Sequence, residues 1–360
     1  MCISSNVRRE CNAEVCVFEG CQESFVSVNG NIPEIPEASP ILDDAGVSQE
    51  QSCVPADFLP PEPAPSSAQW TLSLLLLGLT FCTTTFAGFF YATGFFGFGN
   101  LARFLFSPNF RIFLSSISFS FPLVVILTAH ELGHYFACRY YGMRCTPPYF
   151  IPAPLPLTGT LGAFIRIKSH FREKKALFDI GIAGPLAGFL FSLPVLWIGI
   201  NISRLTPKLS HGVSGLSFGE PLIFRLIGIV ALGYAPGRHD MIAHPMAMAG
   251  WVGLLATSLN LLPIWQLDGG HIAYAALGER WHKKLSFAAV AVLIILSFLG
   301  WPTPSYLLFA VILLIIGWRL RFYHPAPLVN EGPLGTGRTI LAIVALLILI
   351  LSFTPTPITT

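Results

Sequence analysis

Residues 113–138, FLSSISFSFPLVVILTAHELGHYFAC, run for 26 positions with Glu131 as their one formal charge. About 20 apolar residues in a helix are enough to cross the hydrocarbon of a bilayer. Comparable runs occupy about 69–93, 177–201, 245–266, 285–300, 304–319 and 339–354. Inside hydrocarbon each backbone polar group must be satisfied within its own segment or in a closed barrel. These runs are continuously apolar, not alternating, so helices are expected. The fold class predicted is an all-α polytopic membrane protein with about seven transmembrane helices. A chain that is 53% hydrophobic and 11% charged is too apolar for a soluble domain. The stretch 220–235, EPLIFRLIGIVALGYA, carries Glu220 and Arg225 near its start and reads as interfacial or re-entrant.

Charge divides the chain in two. Residues 1–68 hold two basic and eleven acidic residues, a net −9, whereas the rest holds nineteen basic and eight acidic, a net +11. The expected domains are therefore an acidic cytosolic tail, 1–68, and a membrane domain, 69–360, with its catalytic core at about 113–300. The tail has no apolar core of a signal peptide and is too acidic for a transit peptide. Its acidity also argues against a nucleic-acid arm. NIPEIPEASP and VPADFLPPEPAPSSAQ read as extended linker. Five of the eight cysteines lie in the tail, with Cys11, Cys16 and Cys21 five apart and without the Cys-x2-Cys pairs of a metal knuckle. Basic residues cluster at Arg139, Arg144, Arg166, Lys168, Arg172, Lys174 and Lys175, again at Arg280, Lys283 and Lys284, and at Arg319 and Arg321. By the bias of Lys and Arg toward the cytosol, these clusters and the N-terminus are expected on the cytosolic side. The expected home is a bacterial cytoplasmic membrane, with an organelle membrane as the alternative.

The second run ends in chemistry foreign to lipid. His130 and His134 stand four apart, on one face of a helix. Two imidazoles so placed can ligate one zinc ion, and Glu131 between them can act as a proton acceptor. Ionisable groups at membrane depth are costly and mark function. A catalytic zinc site takes three protein ligands and leaves one position open. Asp268, after the fourth run in NLLPIWQLDGGHI, lies at the same depth if the spans alternate, and an isolated carboxylate there needs a cation. His271, three residues on, is the rival ligand, with Asp268 preferred. Gly269 and Gly270 are expected to permit a turn.

HELGH, GIAGPLAGF and NLLPIWQLDGGH, in this order, resemble the site-2 protease family of intramembrane zinc metalloproteases, in a bacterial and plastid branch of it. The resemblance covers about 113–300. It implies one Zn²⁺ per chain held by His130, His134 and Asp268, with Glu131 as the catalytic base and a membrane-spanning protein as substrate. It further implies a substrate-positioning role for Asn260 and helix packing at Gly184, Pro185 and Gly188. No gap between spans exceeds about 45 residues, so the PDZ domain of some members has no room here.

Between the second and third spans, TPPYFIPAPLPLTGTLGAFIRIKSHF has five prolines in ten residues, which forbids a helix. GTLGAFIRIKS then alternates, which predicts a short strand or hairpin, re-entrant beside the site. A strand edge there can take up an unwound substrate by main-chain pairing. Gly159 and Phe164 are the candidate substrate contacts of this element, beside Asn260. The expected function is an intramembrane zinc endopeptidase cutting near the cytosolic side. A membrane metal transporter and a non-catalytic membrane scaffold are the alternatives. The first would need polar residues at several depths, and the last three spans hold almost none; the second would not need Glu131.

Overall fold

The computed structural model describes residues 65–94, 110–208, 217–299, 303–319, 322, 324–328 and 332–359. The acidic tail lies outside these residues up to position 64. Helix α1, Ser67–Thr93, begins at Ser66, whose side chain accepts from the Gln69 N–H while Gln69 reaches back to the Ser66 N–H. This reciprocal cap satisfies two donors that the first turn leaves open. Helix α2, Phe110–Tyr140, is 31 residues long. It ends in a left-handed turn at Gly142, where φ is +62° and the Met143 N–H donates to the Cys138 carbonyl at 2.8 Å. After it come strand β1, Tyr149–Pro152, and strand β2, Thr160–Phe164, then helix α3, Lys174–Asn201.

The second half is built from shorter pieces. Strands β3, Arg204–Pro207, and β4, Ser217–Phe218, precede helix α4, Leu222–Leu232; strand β5, His239–Ile242, leads into helix α5, Pro245–Asn260. Helices α6, Asp268–Leu277, α7, Glu279–Leu299, α8, Leu307–Arg319, and α9, Thr336–Ser352, follow, and strand β6, Ile358–Thr359, closes the series. The strands form three antiparallel pairs, β1 with β2, β3 with β5, and β4 with β6.

Among the described residues, four helices are long and apolar enough to cross a membrane: α1, α2, α3 and α7. Four of the seven expected spans therefore have helices of that length, whereas the runs at 245–266, 304–319 and 339–354 hold the shorter α5, α8 and α9. The fourth run is divided. Helix α5 stops at Asn260 after 16 residues, about 24 Å at 1.5 Å per residue and short of the ~30 Å of hydrocarbon. Pro263 has no N–H to continue the helix, and Trp265 turns the chain with φ at +37°. Leu75, Leu299 and Trp318 lie on the outer faces, 67%, 73% and 72% exposed, where only lipid would cover such side chains.

Helices α2, α3 and α5 pack face to face and hold the core, which includes Phe119, Phe178 and Trp251, all fully buried. Small residues let their backbones touch. A Cβ on Gly133 would stand 2.5 Å from the Ala183 carbonyl oxygen, and one on Gly199 would stand 2.4 Å from the Ala247 nitrogen. Such contacts replace the hydrophobic drive that membrane helices lack.

The hairpin of β1 and β2 forms where the sequence predicts one. Tyr149 pairs with Phe164 and Phe150 with Ala163, and an irregularity follows before Pro152 meets Thr160. It lies along α1. Ser73 donates to the Pro148 carbonyl, and the Tyr91 hydroxyl donates to the Leu157 carbonyl at 2.7 Å. Those two anchors are 18 residues apart, about 27 Å along the helix.

Candidate metal centre

Helix α2 carries His130, Glu131 and His134 within five residues, all less than 8% exposed. Helix α6 begins at Asp268, so its first residue supplies the carboxylate. The three donors converge: His130 Nε2 and His134 Nε2 are 3.2 Å apart, and Asp268 Oδ2 is 3.2 Å from the first and 3.3 Å from the second. Among the described residues, these three form the one group able to share a metal ion. His271, the rival ligand, stands outside it.

The tautomers follow from the partners. His134 Nδ1 lies 2.7 Å from the Ile180 carbonyl of α3, which only accepts, so Nδ1 bears the proton. Its Nε2 is then a lone pair aimed at the centre. The Asn260 amide nitrogen is 3.4 Å from His130 Nε2 and can donate to it. Two imidazole lone pairs and a carboxylate oxygen thus face one another, an arrangement that a cation stabilises. The spacing fits zinc in particular. Ligands bound at about 2.0–2.1 Å around a tetrahedral ion stand about 3.3 Å apart. The donor set, two neutral nitrogens and one anionic oxygen, is that of a catalytic zinc site with a position left open.

Helix α3 seats the two histidines. A Cβ on Gly184 would stand 2.1 Å from His134 Nε2, and one on Gly188 would stand 3.1 Å from His130 Nδ1. Both glycines, read from sequence as packing residues, are therefore the floor beneath the imidazoles. Gly269 and Gly270 serve differently from expectation. They lie within the first turn of α6, where a Cβ on each would stand 2.0 Å from the Leu261 and 2.2 Å from the Trp265 carbonyl oxygen. Their smallness presses the helix carrying Asp268 onto the loop that delivers it.

The Ile165 N–H, one residue beyond β2, faces the Glu131 carboxylate. The hairpin edge therefore touches the expected base. Phe164 is half-exposed and lines a cavity of about 440 Å³ with Gln266 and His271. Gly159 is placed away from that cavity: with φ at +69°, its Cα is so close to α1 that a Cβ would stand 2.4 Å from the Thr83 carbonyl oxygen. The carbonyl of Ile180 and the N–H of Ile165 went unnoticed in the sequence. Backbone groups carry no residue signature, and only the packing of α3 and the hairpin reveals them.

A family model described as Peptidase family M50 matches residues 118–300, just over half of the chain. Over 252 residues the chain is 29% identical to "Probable zinc metalloprotease EGY1, chloroplastic" of Arabidopsis thaliana, an alignment covering 67% of this chain and 43% of that protein. Over 168 residues it is 34% identical to the protein of the same name from Oryza sativa subsp. japonica, covering 46% of this chain and 29% of that protein. It is 31% identical over 170 residues to "Probable zinc metalloprotease EGY2, chloroplastic" of Arabidopsis thaliana, 47% of this chain and 30% of the relative. The aligned part of this chain spans less than half the length of each of these relatives.

Proposed function

The chain belongs to peptidase family M50, and from that premise we propose that it is an intramembrane zinc endopeptidase acting on membrane-spanning proteins. The observation that carries this reading is the convergence of His130 and His134, on a helix long enough to span a membrane, with Asp268 of α6, all within 3.3 Å of one another and beside a buried glutamate. His130, His134 and Asp268 would hold the ion. Zinc, when bound, supplies Lewis acidity, which activates water and polarises a carbonyl.

Glu131 is the base in this reading. It adjoins the ligand His130 and is buried, and the Ile165 N–H faces its carboxylate. It takes a proton from the water that attacks the peptide carbonyl. The new C–O bond forms as the C–N bond breaks, and Glu131 returns the proton to the leaving amine nitrogen. Asn260, whose amide stands 3.4 Å from the ligand atom of His130, helps to hold the substrate carbonyl beside the ion. Phe164 and the free edge of β2 receive the unwound substrate by main-chain pairing. Gly159 contributes by seating the hairpin on α1 and not by touching substrate. The cut falls near the cytosolic end of the substrate, since basic clusters follow α2 and α6 in sequence. The plant relatives are named as chloroplastic, so an organelle membrane stands beside a bacterial one as the proposed home.

Glu131→Gln tests the reading. The variant should keep zinc, because the residue is no ligand, and should lose cleavage of a model transmembrane peptide by about 10²- to 10⁴-fold. Zinc content and cleavage rate are both measured. Cleavage near the parent rate would show that Glu131 is not the base.

A further inference from the structure

Helix α6, which brings Asp268 to the centre, is ten residues long and has no side-chain cap at Leu267. Its first turns need another anchor. His271 lies three residues beyond Asp268 and so on the same side of the helix. Its Nδ1 is 2.8 Å from Nε2 of His324, a residue in the segment after α8. His324 Nδ1 is in turn 2.9 Å from the Pro325 carbonyl oxygen, which only accepts. The proton of His324 is therefore on Nδ1 and its Nε2 is an acceptor, so His271 donates to it from Nδ1. Burial pushes both imidazoles down, His324 to about 3 and His271 to about 4, and both are neutral near pH 7.

His324 also grips the next turn. Its ring stacks on Tyr274 with centroids 4.3 Å apart and planes 13° apart. It is 5% exposed. Its own segment is tied down where the Leu328 N–H donates to the Phe171 carbonyl at 2.9 Å, on the chain leading from the hairpin to α3. The loop on the other side of Asp268 has ties of its own, from a histidine whose ring also meets His324 edge to face at 5.0 Å. His282 of α7 reaches the Trp265 carbonyl at 3.0 Å, and Ser286 accepts from the Trp265 N–H at 3.1 Å. His324 is thus the anchor on the helical side of Asp268.

We propose that His324 is a positioning residue for the metal centre: its hydrogen bond to His271 fixes the first turn of α6, and with it the Asp268 carboxylate, while the stack on Tyr274 seats the His324 ring. The inference rests on reading the three converging donors as a zinc site. A ligand freed from its supporting contacts typically loses 10- to 100-fold in metal affinity. Packing and hydrogen bonding can be separated by choice of side chain. His324→Gln offers an amide oxygen to His271 but no ring to Tyr274. His324→Phe keeps a ring and offers no acceptor.

The experiment measures Zn²⁺ affinity of the full-length protein in detergent by competition with a chromogenic chelator, for the parent, His324→Ala, His324→Gln and His324→Phe. His324→Ala and His324→Phe should bind zinc 10- to 100-fold more weakly, and His324→Gln should recover most of the loss. Equal affinity in the parent, Gln and Phe proteins, or a Phe variant that binds zinc at least as tightly as the Gln variant, overturns the proposal. Only the Gln and Phe variants need to fold for that decision. A parent without zinc affinity would sink the metal-site reading and this inference together, whereas a zinc-binding parent with unaffected variants sinks this inference alone.

Discussion

At His134 one side chain is fixed from three directions. The Ile180 carbonyl accepts from Nδ1–H, Gly184 lies under the ring, and the other two donors meet Nε2. Gly184 leaves no room for a methyl group, since a Cβ would stand 2.5 Å from both Cδ2 and Cε1 as well. Gly184→Ala must therefore push the imidazole off its axis or move α3. We expect zinc affinity to fall about tenfold or more, read by chelator competition, with helical content unchanged. Undiminished affinity would mean that α3 gives way instead. The ligands themselves were legible from sequence, because a four-residue spacing on an apolar helix allows few readings. Asp268 was legible only by counting spans to find its depth. The floor beneath the rings was half legible: Gly184 and Gly188 announced close packing, but nothing in their spacing said that the neighbour would be an imidazole.

Among the elements, the hairpin shows most clearly how sequence and packing divide the work. Prolines excluded a helix and alternation predicted a strand or hairpin within 159–169, of which Thr160–Phe164 is strand, yet β1 formed inside the proline-rich stretch itself. There Pro152 ends the strand at an irregularity of register, a place where a missing N–H costs little. That the hairpin leans on α1 was not legible, because its contacts are a carbonyl from Pro148, another from Leu157 and the bare backbone of Gly159. Gly159→Val should break that seat, combining a φ of +69° with overlap against Thr83. A destabilisation of about 1–3 kcal/mol is expected, measured by unfolding in detergent, together with faster proteolysis between 149 and 164. An unfolding curve that matches the parent would show that the hairpin does not depend on this contact. The fourth run failed for a similar reason. Composition fixed its apolar length, but the helix ends at Asn260, where Pro263 and the contacts of Gly269 and Gly270 impose a loop.

Across the whole molecule, four helices bind the centre into one unit. Helix α2 gives two donors, α6 the third, α3 the Ile180 carbonyl and α5 the Asn260 amide. Metal sites tolerate changes of about 0.2 Å in ligand distance, so these helices cannot part to admit a substrate without dismantling the site. They form a fixed hub, and any moving part must belong to the elements outside it. Helix α9 is tied by Arg338, which lies 2.9 and 2.7 Å from the two oxygens of Asp179 and 3.2 Å from the Tyr141 hydroxyl. Arg338→Ala should leave zinc affinity within about twofold of the parent by chelator competition, because no donor of the centre sits on α9; a loss of about tenfold or more would show that α9 belongs to the hub. A centre held this way keeps its rigidity at the hub and leaves motion to the rim.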